Sequence, residues 1–302
     1  MKLYKYGAVD IGSNAIRLLI SNVLILKNKP PLFMKSSIIR FPIRLGQDSF
    51  TVGKISSKNI KKIIKAIKAF KIIIKIHGVK NYMACATSAL RDSSNSKEII
   101  ETIKRKLNFK IQIIDGKKEA EIIASSEIFN VSDSLRSSSF LYIDVGGGST
   151  EFSVLNNGKR HISRSFNIGT VRMLNSTVND NVWNGIESWI KLNTNKLDKV
   201  HILGSGGNIN KVFKIAKIND GNPITFLKLN SIYNSLIKMT YEERMYYFNL
   251  NSDRADVIIP AIQIYLKAMK WSKSNKIFVP KFGLTDGMIK LMYLKDRKTN
   301  FK

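Results

Sequence analysis

Tyr142-Ile143-Asp144-Val145-Gly146-Gly147-Gly148-Ser149, near the middle of the chain, repeats the grammar of Ala8-Val9-Asp10-Ile11-Gly12-Ser13-Asn14 near its start. Each is an apolar strand ending on Asp-x-Gly and a small polar turn. A second apolar strand follows, Ala15 to Leu26 after the first copy and Phe152 to Leu155 after the second. An echo at this separation predicts two related α/β domains, each opening on a β-hairpin.

The rest of the chain fits that frame. Residues 38–45 read as extended. Ile60, Ile63, Ile64, Ile67 and Phe70 recur at helical spacing over 57–76, and Lys58, Lys61, Lys62, Lys65, Lys68 and Lys75 take the opposite, solvated side. Tyr82 to Thr87 reads as a buried strand leading into a helix after Ser88. A helix over 97–107, a strand over 110–114 and a helix opening at Asp115-Gly116 follow. In the second half, Asn156-Asn157-Gly158 signals a tight hairpin before a strand from Arg160 to Phe166. Val200 to Leu203 is a strand running into Gly204-Ser205-Gly206-Gly207, and 231–245, 254–271 and 285–295 read as helices. The chain turns polar and Ser-rich around 126–138. That places one domain over 1–125 and a second over 126–302, with the last helix packing back on the first.

Composition narrows the function classes. The chain has 302 residues, enough for two hydrophobic cores, with 44% apolar and 24% charged residues. Ile16 to Leu26 is its longest nearly apolar stretch, too short to span a bilayer. One cysteine, Cys85, excludes an internal disulfide, and with three histidines it argues against a zinc site. These features point to the cytoplasm. The net charge of +28 suits a polyanionic partner. It suits equally a Lys-, Ile- and Asn-rich composition, because basic residues are spread over both halves. No basic–aromatic module of a nucleic-acid-binding type is present.

The paired turns suit phosphate chemistry. Glycine lets backbone N–H groups approach an anion closely and permits turns with φ > 0. In the first turn Gly12, Ser13 and Asn14 are candidate phosphate donors, and in the second Gly146, Gly147, Gly148, Ser149 and Thr150. An aspartate beside such a turn repels phosphate unless it holds a cation or a water, so Asp10 and Asp144 read as Mg²⁺ ligands. Glu151, on the strand leaving the second turn, is placed to join Asp144. Arg17 interrupts an apolar strand, where an unpaired charge is costly; a phosphate or a nearby carboxylate would each explain it. Thr87, Ser88 and Arg91 form a second anion candidate at a helix start. Gly206 and Gly207 form a third, and Arg254 is a further cation.

Several stretches, taken in order, carry a resemblance. They are Val9-Asp10-Ile11-Gly12-Ser13-Asn14 with Arg17, Ala86-Thr87-Ser88-Ala89-Leu90-Arg91-Asp92, Gly116-Lys117-Lys118-Glu119-Ala120 and Asp144 to Glu151. They continue with Asn167-Ile168-Gly169-Thr170-Val171-Arg172, Gly204-Ser205-Gly206-Gly207, Arg254-Ala255-Asp256-Val257-Ile258 and Gly283-Leu284-Thr285-Asp286-Gly287. The chain resembles the exopolyphosphatase and guanosine-pentaphosphate phosphatase family, within the actin/sugar-kinase/Hsp70 superfamily, along nearly its whole length. The resemblance implies an α/β fold of two actin-like (ribonuclease H-like) domains, with mixed sheets flanked by helices and a cleft between them. It also implies Mg²⁺-assisted attack of water on a terminal phosphoryl group, with Glu119 as the base. A helix start capped by Asp115 would keep that carboxylate ionised. Polyphosphate is the leading substrate and guanosine pentaphosphate the nearest alternative. A phosphotransferase and a non-catalytic nucleotide- or alarmone-binding protein are the rival readings, and a homodimer is a further expectation. At Ala124, Ser125 and Ser126 the chain departs from the family, which often has an aromatic residue and a glycine there.

Overall fold

Two hairpins of identical register organise the computed structural model, which describes residues 1–125, 138–156, 159–175, 178–280 and 282–300. In the first, Asp10 pairs with Arg17 and Ile11 with Ile16. In the second, Asp144 pairs with Glu151 and Val145 with Thr150. The same turn bond closes both: Gly12 N–H donates to the Ala15 carbonyl at 3.1 Å, and Gly146 N–H to the Ser149 carbonyl at 3.0 Å.

The chain divides into two compact units, one of Met1–Ser126 with Leu284–Lys302, the other of Glu127–Gly283. Unit 1 contains β1 (Lys2–Ile11), β2 (Ile16–Ile25), β3 (Leu32–Phe41), α1 (Leu45–Val52), α2 (Ser57–Ile76), β4 (Asn81–Ala86), α3 (Ser88–Arg91), α4 (Ser96–Leu107), β5 (Gln112–Ile113) and α5 (Gly116–Ala124). Unit 2 contains β6 (Ser139–Val145), β7 (Thr150–Asn156), β8 (Lys159–Phe166), α6 (Thr170–Leu174), α7 (Asp180–Thr194), β9 (Val200–Ser205), α8 (Gly207–Ala216), β10 (Ile224–Thr225), α9 (Phe226–Ile237), α10 (Tyr241–Phe248), α11 (Ile258–Trp271) and β11 (Lys276–Phe278). Helix α12 (Leu284–Asn300) returns to unit 1.

The sheet of unit 1 runs β3-β2-β1-β4-β5, and that of unit 2, read from the same side of its hairpin, runs β8-β7-β6-β9-β11-β10. In both, the first hairpin is antiparallel and the next strand joins in parallel. Ligands of open α/β sheets gather outside the carboxyl ends of such parallel strands. Both aspartates lie there.

Packing fixes the two faces of the first sheet. Ile63, Ile67 and Phe70 of α2 are buried, and the Gly7 position lies against Ile74 of α2. On the other face, the Tyr6 hydroxyl donates to Asp296 of α12 at 3.0 Å, and Asn81 donates to the same carboxylate. Helix α12 also comes so close to α5 that a Cβ on Gly287 would overlap the Ile122 carbonyl. In unit 2, Phe152, Phe166 and Trp189 form an aromatic centre. The Tyr265 hydroxyl of α11 lies 3.1 Å from the Ile143 carbonyl and 2.7 Å from that of Ser205, clamping the ends of β6 and β9.

Some sequence expectations change. The extended stretch lies at 32–41 rather than 38–45, because Leu45 begins α1, which ends at Gly53 in the left-handed region (φ 76°). The helix expected over 231–245 is two helices: Thr240 and Glu243 form a capping box that starts α10 anew. Arg254 precedes α11 instead of beginning it. Helices α6 and α7 and strand β11 had no assignment from the sequence. The polar stretch 126–137 and the Asn157-Gly158 turn fall outside the described residues.

Candidate active site

In unit 1 the strand ends bring together most of the expected residues. Asp10 is 5% exposed, and Arg17 Nη2 lies 3.3 Å from its Oδ2. Burial pushes the Asp10 carboxyl above its usual range, and Arg17 offsets only part of this. Of the two partners left open for Arg17, the structure shows the carboxylate. Cys85 is the neighbour of Asp10 on β4. Its thiol is pushed up to about 12 by burial, then by the charges of Asp10 and Glu119. Glu119 thus acts electrostatically on the same spot as Asp10.

Helix α5 presents Glu119 as its sequence suggests. The Asp115 side chain accepts the Lys118 N–H at 2.7 Å, and Glu119 N–H donates to the Asp115 carbonyl at 2.9 Å. The Oε2 oxygen of Glu119 is shut off from solvent. Ser13 of the hairpin and Ser88 of α3 meet at 2.9 Å between hydroxyl oxygens, and Thr87 N–H donates to the Ile11 carbonyl at 3.2 Å. Arg91, expected as a phosphate ligand, points two of its nitrogens at protein. Its Nη1 donates to the Ile114 carbonyl at 3.1 Å, and its Nε lies 3.5 Å from Asp92. It fastens α3 to the segment that starts α5, so it positions Glu119.

In unit 2 the second turn is held from behind. The carbonyls of Gly146 and Gly147 accept the N–H groups of Thr170, Val171 and Arg172, and the Gly148 carbonyl accepts Arg172 Nε at 2.9 Å. With three carbonyls turned to α6, the N–H groups of Gly147, Gly148 and Ser149 donate to no backbone carbonyl among the described residues. Successive N–H groups in such a turn have the chemistry to bind an anion. Of the two reasons the sequence suggested for these glycines, the φ > 0 one does not apply. Neither Gly12 nor any of Gly146, Gly147 and Gly148 has positive φ. Close approach is the constraint at Gly169, whose absent Cβ makes room for the 147–148 peptide. Thr150, expected as a phosphate donor, is fully buried, and its hydroxyl donates to the Ile168 carbonyl at 2.6 Å. It belongs to the scaffold.

Asp144 and Glu151 face one another across β6 and β7. Glu151 is 1% exposed and accepts the Ser165 hydroxyl at 2.9 Å. Two carboxylates directly opposite repel, an arrangement that a divalent cation relieves. Among the described residues no cluster of three or more His, Cys, Asp or Glu side chains could hold a metal. Two carboxylates suffice for Mg²⁺, which commonly takes its remaining ligands from water and substrate phosphate. The expected metal ligands therefore fall into two kinds, a carboxylate pair in unit 2 and an arginine-paired Asp10 in unit 1.

Gly206 (φ 104°) lies where a Cβ would come within 3.0 Å of Asp144 Oδ1. The Arg254 guanidinium lies over Gly207 at the start of α8 and donates to Asn208 at 3.0 Å. Sequence reasoning assigned no role to Gly169, Arg172, Ser205 or Cys85. The first two lay within a recognised stretch, but their task is visible only once α6 is seen against the turn.

A buried carboxylate whose ionisation is resisted costs folding energy. The unfolded Asp10 ionises near 3.8, whereas the folded one holds its proton to higher pH. Stability is therefore lost as pH rises through the folded value. Asp10→Asn is expected to raise the urea midpoint at neutral pH, with the gain fading as pH falls below the unfolded value. A midpoint lowered at pH 7 would contradict this assignment of burial as the dominant effect.

A bifunctional 3-dehydroquinate synthase/phosphatase of Fusobacterium nucleatum is 28% identical over 90% of this chain and 44% of its own length. Exopolyphosphatase 1 of Mycobacterium tuberculosis is 28% identical over 56% of this chain and 47% of its own. The chain thus spans less than half the length of these curated relatives. The crystal structure of an exopolyphosphatase from Cytophaga hutchinsonii superposes with a TM-score of 0.82 at 23% identity, covering 96% of this chain and 98% of that one, so the two-domain actin-like fold is shared. With the duplicated hairpins in place, and with the Ppx/GppA phosphatase model matching residues 32–296, the chain belongs to the Ppx/GppA phosphatase family.

Proposed function

We propose that this chain hydrolyses phosphoanhydride bonds and releases terminal phosphate from inorganic polyphosphate. The observation that carries the reading is the duplicated hairpin. Each copy sets an aspartate beside a turn suited to phosphate, and only the second adds a facing carboxylate. The net charge of +28 supports an anionic substrate, and an exopolyphosphatase is among the relatives.

In this reading the N–H groups of Gly147, Gly148 and Ser149 hold phosphoryl oxygens, with Ser13 and Asn14 in the same role in unit 1, where the Gly12 N–H is taken by the Ala15 carbonyl. Glu119 orients a water and takes its proton as the oxygen attacks phosphorus. The bond to the bridging oxygen breaks, and the shortened chain leaves. Asp144 and Glu151 would hold Mg²⁺, and the chemistry it would supply there is neutralisation of developing negative charge. Fixed donors carry most of the rate, because phosphoryl transfer asks little covalent chemistry of the protein. The Arg17 guanidinium balances Asp10, so the first turn presents donors to phosphate rather than net negative charge.

Guanosine pentaphosphate is the competing substrate. Incubation with polyphosphate of defined length and, separately, with guanosine pentaphosphate decides between them. The reading expects orthophosphate and a ladder shortened by single units from the polyphosphate. Release from the guanosine nucleotide alone would transfer the activity to that substrate. Tight binding of either without turnover would make the chain a sensor.

A further inference from the structure

Helix α2 carries seven lysines and no acidic residue. Successive helical residues advance by about 100°. Lys58, Lys61, Lys65, Lys68 and Lys75 therefore share one arc of about 100° on the face away from the sheet. All five are exposed, and none makes a hydrogen bond or ion pair among the described residues. A lysine-rich composition does not by itself give such a stripe, because α4, α7 and α12 each mix lysine with acidic residues. The Lys71 ammonium donates to the Leu107 carbonyl at 2.7 Å. That bond sets the basic last turn of α4, Lys104 to Lys106, beside the stripe. The same arc also holds apolar residues. Ile72 and Ile76 are 52% and 76% exposed. At the C-cap of α2, His77 Nε2 lies 3.4 Å from the Ser37 hydroxyl of β3. Leu32 and Met34, further along that strand and on the α2 side of the sheet, are exposed as well.

We propose that this face of unit 1 docks on an anionic bilayer surface, with the α2 lysines on lipid phosphates and Ile72 and Ile76 entering the headgroup layer. Each lysine held near an anionic leaflet strengthens attachment about fivefold. A flat surface meets the straight stripe along its whole length of about 25 Å. The long lysine stems let the ammonium groups stay among the headgroups while the isoleucines go deeper. A nucleic acid would use the lysines and leave the isoleucines in water. Helix α2 also offers it no arginine for bidentate contact and no exposed ring for stacking, since Phe70 is buried. The docking face lies apart from the strand-end carboxylate. Lys5, near the start of β1, donates to the His77 carbonyl, whereas Asp10 stands at the other end of that strand. Attachment and hydrolysis are thus separate properties of unit 1.

The test is flotation of the full chain with vesicles of phosphatidylcholine alone and of an equal mixture with phosphatidylglycerol. Three variants are compared with wild type. One replaces Lys61, Lys65 and Lys68 by glutamine, which keeps helix propensity. A second replaces Ile72 and Ile76 by glutamine. The third is a control of equal charge change in unit 2, with the exposed Lys196, Lys228 and Lys238 replaced by glutamine. Wild type is expected on the mixed vesicles and not on the neutral ones. The lysine variant is expected to bind about 10²-fold more weakly, the isoleucine variant about tenfold more weakly, and the control like wild type. Absence of wild-type binding to the mixed vesicles overturns the proposal. An equal loss in the control does so too, because net charge rather than this face would then be responsible. An isoleucine variant that binds vesicles like wild type, with a lysine variant that loses duplex DNA, would make the face a nucleic-acid surface and overturn the proposal as well. Binding is read without turnover, so a chain that docks yet releases no phosphate would keep this surface and sink the hydrolase.

Discussion

Glu119→Gln is expected to lower phosphate release by about 10²–10⁴-fold, the usual contribution of a positioned general base, while the protein keeps its fold. Glutamine preserves the length and shape of the side chain on α5, so Asp115 still caps the helix and Ile122 still packs beneath α12. Only the capacity to accept a proton is lost. The position supports that role through its field: Glu119 and Asp10 both raise the Cys85 thiol, so both carboxylates act at the strand ends of unit 1. Steady-state phosphate release and thermal unfolding of the same preparation separate the two effects. A variant with native turnover would remove Glu119 from the chemistry. A variant with a much lower unfolding temperature would make it structural.

Gly169→Ala is expected to damage both stability and rate. The glycine has φ −158°, extended backbone that any residue adopts, so the constraint is steric alone. A Cβ there would overlap the peptide joining Gly147 to Gly148. Neither neighbour can yield freely, because Thr170, Val171 and Arg172 bind the carbonyls of the same turn. Overpacking of this kind costs about 1–3 kcal/mol. A shift of the turn by about 1 Å would lower the rate by about 10²-fold. Urea unfolding and phosphate release measure the pair of effects, and native values for both would mean that the turn does not depend on this contact.

Much of this site could be read from residue order. The two hairpins, the α2 stripe of Ile63, Ile67 and Phe70, and the Asp115 cap are local patterns, and local patterns survive in a sequence. The partners were less legible, because they come from register and packing. That Arg17 faces Asp10 while Glu151 faces Asp144 follows from hairpins of equal length, yet only the structure shows the Arg17 guanidinium reaching the Asp10 carboxylate. Arg91 and Thr150 look like phosphate ligands in one dimension and are directed at backbone carbonyls in three. Gly169 illustrates the same limit. Its sequence neighbours suggest a helix start, whereas its function is to admit a peptide from a different loop. The split of the 231–245 region arises because Thr240 and Glu243 satisfy each other's backbone groups, a signal visible in the sequence but outweighed by the run of apolar residues around it.

Water is the proposed attacking group, and isotope transfer tests that directly. The full chain is incubated with polyphosphate and Mg²⁺ in ¹⁸O-labelled water, and the released orthophosphate is analysed by mass spectrometry. The account predicts one solvent oxygen in each phosphate released, with no requirement for a second acceptor. Phosphate that appears only when an acceptor is added, or transfer that leaves the label in the solvent, would contradict it.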